Sequence, residues 1–146
     1  MHDITINIVT AASPEYTQVW NLREEVLRKP LNMSLKNEDL SMDAEDEIFV
    51  ALLDHEVIGC LMLHRLDANT VKLRQMAVYD GWQGKNIGRL LVTAAEKHAA
   101  TKGYKKVSLH ARLAASGFYS RLGYTQIGEE FTEVGIPHFL MQKEIR

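Results

Sequence analysis

Apolar residues in this chain switch between two periods, and the switches mark out its elements. Ile4 to Ala11 reads as a first strand, and Glu47 to Leu53, Val57 to His64 and Val71 to Val78 as three more, the first two of them flanking Asp54-His55-Glu56. Val19, Leu22 and Val26 recur at helical spacing and predict a helix from Ser13-Pro14 to about Lys29. Serine caps free N–H groups there, and proline at the first helical position loses nothing. A second helical set, Leu90, Leu91, Ala94, Ala95 and His98, follows Ile87 and stops at Gly103, with Lys102 in the last turn. KVSLH predicts a strand, and Tyr124 to Phe131 and His138 to Glu144 an antiparallel ending.

Composition narrows the class. At 146 residues, 46% hydrophobic and 25% charged, the chain suits one soluble domain with a sizeable core, expected to span 1–146. A net charge of −2 argues against general nucleic-acid binding, which draws on a basic face. No apolar run reaches eighteen residues and no charged n-region is followed by an apolar h-region, so neither a membrane span nor a secretion signal is predicted, and a cytoplasmic location is the expectation. The lone Cys60 lies in an apolar strand and reads as a buried small hydrophobe rather than a reactive thiol.

The chemistry concentrates between Val71 and Thr101. There a strand, VKLRQMAV, leads to a glycine-bearing turn, QGKNIG, that opens a helix. The first turn of a helix offers unpaired N–H groups and the positive end of its dipole, so such a turn can cradle a phosphate. Gly84 and Gly88 bracket it, Asn86 tolerates left-handed geometry, and Lys85 and Arg89 add positive charge. Neither the dinucleotide G-x-G-x-x-G nor the G-x-x-x-x-G-K-S/T phosphate loop occurs, which weakens an unrelated nucleotide-binding fold.

The segment resembles the acetyl-CoA motif of the GNAT superfamily of N-acetyltransferases, Q/R-x-x-G-x-G/A. Gln83 and Gly88 fit, and Asn86 replaces the central glycine. Ala115 to Tyr124, ASGFYSRLGY, resembles the superfamily's A-x-x-F/L-Y-x-x-x-G-F/Y signature in the expected order, and the closing GIPHFLM resembles the tail of many members without an assigned substrate. The resemblance implies an α/β (α+β) GNAT acyl-CoA N-acyltransferase fold, with a mixed, mostly antiparallel twisted sheet and helices on both faces. It implies acetyl-CoA as cosubstrate and direct attack on its thioester by a primary amine of a small molecule or peptide: a small amine, amino acid, amino sugar or peptide terminus. The cofactor would lie on Gln83, Gly84, Lys85, Asn86, Ile87, Gly88 and Arg89. Backbone groups of Met76, Ala77 and Val78 would pair with the pantetheine arm and stabilise the developing oxyanion. A homodimer is common among similar proteins. The alternative is a noncatalytic acyl-CoA-binding sensor or partner module on the same fold.

Tyr119, in the second motif, is the candidate proton donor to the departing thiolate, with packing in the core as its other reading. His110 is the leading candidate base, since histidine titrates near neutrality, and His138 is the second; either also reads as a structural histidine. Where many members of the family carry an asparagine, this chain has Arg112, which suits a carboxylate, a phosphate or plain solvent. His2, His55, His64 and His98 form no metal-binding motif with one another or with Cys60, so no metal is expected. In LREEVLRKP an α-helix would set Arg23 and Arg28 about 140° apart, so one of them alone would meet an anionic acceptor group. The competing reading pairs Glu24 with Arg28 on a solvated face. Lys29 to Asp46 holds Pro30, few apolar residues in phase and the run Asp43-Ala44-Glu45-Asp46-Glu47. By resemblance it lies near the acceptor site, as a specificity lid or as a plain solvated loop with a short helix.

Overall fold

The computed structural model describes residues 3–145; His2 falls outside them. Seven strands form one mixed sheet in the order β1-β2-β3-β4-β5-β7-β6. They are β1 (Thr5–Val9), β2 (Glu47–Leu53), β3 (Glu56–Arg65), β4 (Thr70–Val78), β5 (Lys106–Arg112), β6 (Thr125–Glu133) and β7 (Ile136–Glu144). The pairs β1–β2, β2–β3, β5–β7 and β6–β7 are antiparallel. β4 and β5 run parallel, which requires a crossover, supplied by helix α2 (Ile87–Thr101). Among the described residues the other α-helices are α1 (Tyr16–Arg23) and α3 (Ser116–Arg121). The chain forms two compact units, Met1–His64 with Gln75–Ala95, and Arg65–Arg74 with Glu96–Arg146.

In the first unit, β2 and β3 are buried along most of their length, as strands covered on both faces must be. Successive residues of β3 show the two faces. Cys60 joins Val19 and Leu22 of α1, Ile48 and Val50 of β2 and Ala77 of β4 in one apolar cluster. Its neighbour Gly59 faces Ile87 and Leu91 of α2. The α2 stripe is therefore Ile87, Leu91, Val92, Ala95 and Ala99, whereas Leu90 is 44% exposed, a correction to the predicted set. Asp54 and His55, at φ 50 and 69, make the two-residue left-handed turn that matches the twist of a hairpin.

The first helix departs from the prediction at both ends. Ser13 Oγ accepts from the Thr10 N–H at 3.0 Å in a turn ahead of α1, so it does not cap the helix. After Arg23 the chain becomes a π-helix, Glu24–Arg28, in which the Lys29 N–H donates to Glu24 O five residues back, and then a 3-10 turn, Lys29–Leu31. Pro30, with no N–H to offer, cannot continue the α ladder, and the regular helix ends ahead of it.

In the second unit, Val71, Leu73, Val107, Leu109, Ala111 and Met141 fill the core beside Tyr119 and Tyr124. Tyr124 Oη donates to Glu96 Oε2 at 2.8 Å, and Lys143 Nζ donates to Glu96 Oε1 at 2.9 Å, tying β7 and the start of β6 to α2.

Candidate active site

The site begins at the turn between β4 and α2. Gly84 has φ 78, with no atom within 4 Å of where a Cβ would stand, and Asn86 has φ 65. Asn86 thus takes the left-handed geometry that a glycine would supply. Residues alternating in this way turn backbone N–H groups toward a common concavity, and the helix dipole adds its positive end. Gln83, Gly84, Lys85, Asn86 and Arg89 are exposed, Gly88 is half-buried, and Ile87 is buried as the anchor of the turn. Gln83 behaves differently from its neighbours: its side-chain amide donates to Val78 O at 3.1 Å and to Asp80 Oδ1 at 3.3 Å, fastening the turn to the end of β4. The open, left-handed, positively charged turn at a fifteen-residue helix fits a pyrophosphate.

β4 breaks its regularity before that turn. Gln75 has φ 55, a left-handed residue inside a strand, and its carbonyl lies 3.7 Å from the Cys60 thiol. Among the described residues the parallel ladder pairs Thr70–Leu73 with Lys106–Leu109, while β4 continues to Val78. Met76 and Val78 are half-buried and Ala77 is buried. Cys60 is fully buried, and burial pushes its thiol up to about 12, which makes it an inert core residue, as its sequence setting predicts.

Tyr119 stands on α3, 8% exposed, edge-on to Phe118 and Tyr124 with ring centroids 5.0 and 5.8 Å away. Burial raises its hydroxyl to about 12, so Tyr119 keeps its proton at any physiological pH.

His110 lies on β5, with Nδ1 3.2 Å from Glu133 Oε1. Its ring meets Phe131 edge-on at 5.1 Å, and Phe131 in turn stacks on His138 at 5.9 Å. His138 Nδ1 donates to Ile136 O at 2.8 Å, and its Nε2 is 3.5 Å from Glu133 Oε2. The two candidate histidines are therefore brought together by one carboxylate. A carboxylate only accepts, so the bond to Glu133 places the His110 proton on Nδ1 and leaves Nε2 as the basic atom. Lys72, half-buried, is also near: burial lowers its pKa while Glu133 partly restores it. Glu133 precedes a tight turn in which Val134, a β-branched residue, is held at φ 48.

The arginines overturn the surface reading. Arg23 is fully buried and its Nη1 donates to Asp43 Oδ2 at 2.8 Å; Tyr16 Oη donates to the same oxygen at 2.5 Å. Arg28 binds Glu38 and Gln75, whereas Glu24 accepts from Ser34 Oγ and the Leu35 N–H. No Glu24–Arg28 pair forms on a solvated face. Lys29 to Asp46 is likewise no plain solvated loop: Leu35, Asp43 and Asp46 are buried, and Asp46 Oδ1 lies 2.6 Å from His64 Nδ1. Among the described residues no group of three or more metal-ligating side chains is placed to hold an ion, and no helix is long and apolar enough to cross a membrane.

The sequence profile of the acetyltransferase (GNAT) domain matches residues 11–145. This chain belongs to the GNAT acetyltransferase family. An uncharacterized protein of Bacillus subtilis, YyaT, is 37% identical over 81 residues, 56% of this chain and 55% of that protein. The match thus spans about half the length of that relative. An uncharacterized N-acetyltransferase of the same organism, YjcF, is 28% identical over 94% of this chain and 98% of its own. A crystal structure of a GNAT family acetyltransferase from Elizabethkingia anophelis with acetyl-CoA bound superposes with TM-score 0.72 at 23% identity, covering 97% and 98% of the two chains. That of ElaA from Escherichia coli gives TM-score 0.85 at 19% identity, covering 97% and 100%. These structural likenesses establish the GNAT fold. Within this GNAT chain, sequence reasoning missed Glu133, Phe131 and Gln75. The turn signal Val134-Gly135 beside Glu133 was the one available clue to the first, since a hairpin there returns β7 past β6.

Proposed function

We propose that the protein is an acetyl-CoA-dependent N-acetyltransferase that transfers the acetyl group to a primary amine of a small molecule or peptide by direct attack on the thioester. The observation that carries this reading is the turn at Gly84–Asn86, left-handed at both positions and opening α2 directly after the irregular strand β4. The acetyl-CoA held by the Elizabethkingia anophelis acetyltransferase supports the choice of cofactor.

Bound acetyl-CoA supplies an activated acetyl carbon as a thioester. The residues of the turn, with Lys85 and Arg89, hold its pyrophosphate, and backbone groups of Met76, Ala77 and Val78 hold the arm. His110 Nε2 takes the proton that the amine must lose, and Glu133 fixes the tautomer that makes Nε2 basic, as the carboxylate does in a Ser-His-Asp triad. Tyr119, fully protonated, offers its hydroxyl hydrogen to the leaving sulfur. The amine nitrogen gains the acetyl group, the C–S bond breaks and the thiol leaves with the proton from Tyr119. The proton taken by His110 passes to solvent and solvent reprotonates the Tyr119 oxygen, so both residues return to their starting state. A noncatalytic binding module has no use for an oriented His110–Glu133 pair, so the catalytic reading is preferred.

Thiol release with a panel of primary amines tests this. Tyr119→Phe is expected to lower turnover while acetyl-CoA affinity stays nearly unchanged, and His110→Ala to move the acidic limb of the pH–rate profile. Wild-type turnover in Tyr119→Phe removes Tyr119 as the donor, and an unmoved limb removes His110 as the base.

A further inference from the structure

The π-helix changes what Arg28 can do. In an α-helix it would point away from Arg23, but i→i+5 bonding brings residues five apart toward one side, and such bulges recur at functional sites. Arg23 uses that side to bury itself against Asp43, with side-chain exposures of 1% and 2%. Arg28 uses it to reach β4.

The Arg28 side chain is 12% exposed, and its guanidinium is held by several hydrogen bonds. Nε donates to Glu38 Oε2 at 2.5 Å and Nη2 to Glu38 Oε1 at 3.0 Å, the two-pronged geometry with which arginine grips a carboxylate. Nη2 also donates to Gln75 Oε1 at 3.1 Å, and Nη1 to Leu27 O at 3.4 Å. Gln75 is the left-handed residue of β4, and it immediately precedes Met76. Backbone held in a sparsely populated region persists where surrounding contacts enforce it, and it concentrates at ligand sites. The carboxylate grip is therefore anchored next to the backbone that is to hold the thioester arm.

Glu38 differs from Asp43 in its access to solvent. It is 31% exposed and sits between two short 3-10 turns, Leu35–Asn37 and Ser41–Glu45. A free carboxylate from solution presents the same two oxygens and the same charge. Exchanging it for Glu38 never leaves Arg28 unpaired, and Glu38 swings to water, where its charge is solvated. The buried Arg23–Asp43 pair has no such exchange open to it.

We propose that Arg28, positioned by Gln75, is the carboxylate-binding residue of the acceptor site, that Glu38 occupies it as an intramolecular stand-in, and that the acceptor is an amine bearing a carboxylate close to its nitrogen, as an α-amino acid does. This rests on the N-acetyltransferase reading above. Adjacent residues are about 3.8 Å apart along the chain, so Arg28 at Gln75 and a thioester at Met76 suit an acceptor whose amine and carboxylate are only a few bonds apart.

The test is acetylation of the α-amino acids, each paired with its own α-carboxamide, by wild type, Arg28→Gln, Arg28→Lys and Glu38→Gln. The acid is expected to exceed its amide in kcat/KM by about tenfold or more. That preference is lost in Arg28→Gln and weakened in Arg28→Lys, which keeps the charge without the fork. Glu38→Gln is expected to lower KM for the acids with little change in kcat, which a purely structural latch would not do. Equal turnover of acid and amide, turnover of the amides alone, or turnover of neither overturns the proposal. An unchanged preference in Arg28→Gln, or a KM that rises in Glu38→Gln alongside a lower unfolding temperature, overturns it as well. Stabilisation by acetyl-CoA, measured on the same preparations, separates the two failures: if it persists, only the acceptor assignment falls, and if it is absent, the transferase reading falls with it.

Discussion

Gly59 of β3 and Ile87 at the start of α2 approach so closely that a Cβ on Gly59 would lie 2.8 Å from Ile87 Cγ2. Leu91 Cδ1 would be 3.2 Å away and Ala77 O 3.5 Å away, so the added atom fits only if the side chains of Ile87 and Leu91 shift. The glycine lets α2 seat on the sheet and so sets the height of the turn that opens it. Gly59→Ala is expected to destabilise the protein by about 1–3 kcal/mol through overpacking and to weaken acetyl-CoA binding. Gly81→Ala, with nothing within 4 Å of its Cβ, is the control and should be near neutral in urea unfolding. Equal stability of the two variants would refute the close-packing account.

The left-handed Asn86 gives a second prediction. Asn86→Gly keeps the φ of 65 accessible and should bind acetyl-CoA about as the wild type does. Asn86→Val forces a β-branched residue into the same region, with strain of about 1–3 kcal/mol, and should bind about tenfold or more weakly. Calorimetric titration of the three proteins decides the matter, and equal affinities would detach the turn geometry from binding.

What the sequence made legible follows physical lines. Strands covered on one or both faces announce themselves by apolar runs, so β2, β3 and β4 were read to within a residue or so. The phosphate-type turn was legible because glycine and asparagine mark backbone angles, and those are local. Arg23 was not: Val19 and Leu22 define the buried face correctly, but the burial of a guanidinium depends on Asp43, twenty residues away in a segment without periodicity. The π-turn at Glu24–Arg28 was hidden for a related reason, since Pro30 signals that the helix ends without saying in which register. Glu133 is invisible as a partner of His110 until β6 and β7 pair, twenty-three residues on.

The Arg23–Asp43 pair should be among the most sensitive contacts in the molecule. Removing one member leaves the other charge buried, and the Arg23 Nε already has no hydrogen-bond partner among the described residues. Asp43→Ala is expected to lower the unfolding free energy by about 3–5 kcal/mol. Replacing both residues with apolar ones of similar size should recover much of that loss. A loss below about 1 kcal/mol in Asp43→Ala would mark the pair as an ordinary surface contact.

Alkaline pH should unfold the protein through its buried phenols and thiol. Tyr119 rises from 10.0 to about 12 and Cys60 from 9.0 to about 12, both by burial; Tyr16 rises to about 12 through burial and its bond to Asp43. The folded state holds these protons longer than the unfolded chain. Their contribution is therefore complete below about pH 9 and is lost as pH rises toward 12. Urea unfolding at pH 7, 9 and 11 should show a clear fall only in the last step, and Cys60→Ala should show a shallower fall than the wild type. A flat profile to pH 11 would contradict the burial assigned to these groups.

Binding of acetyl-CoA by the turn ahead of α2 is tested by thermal unfolding of the protein with and without that ligand. At a hundredfold excess over the dissociation constant, binding adds about 2.7 kcal/mol of native stability, a rise of several degrees for a chain of this size. The account predicts that rise with acetyl-CoA, none with NAD or ATP, and none in Gly88→Glu, whose side chain fills the turn with bulk and negative charge while the ligand-free protein melts near the wild type. No rise with acetyl-CoA, or an equal rise in folded Gly88→Glu, would contradict it.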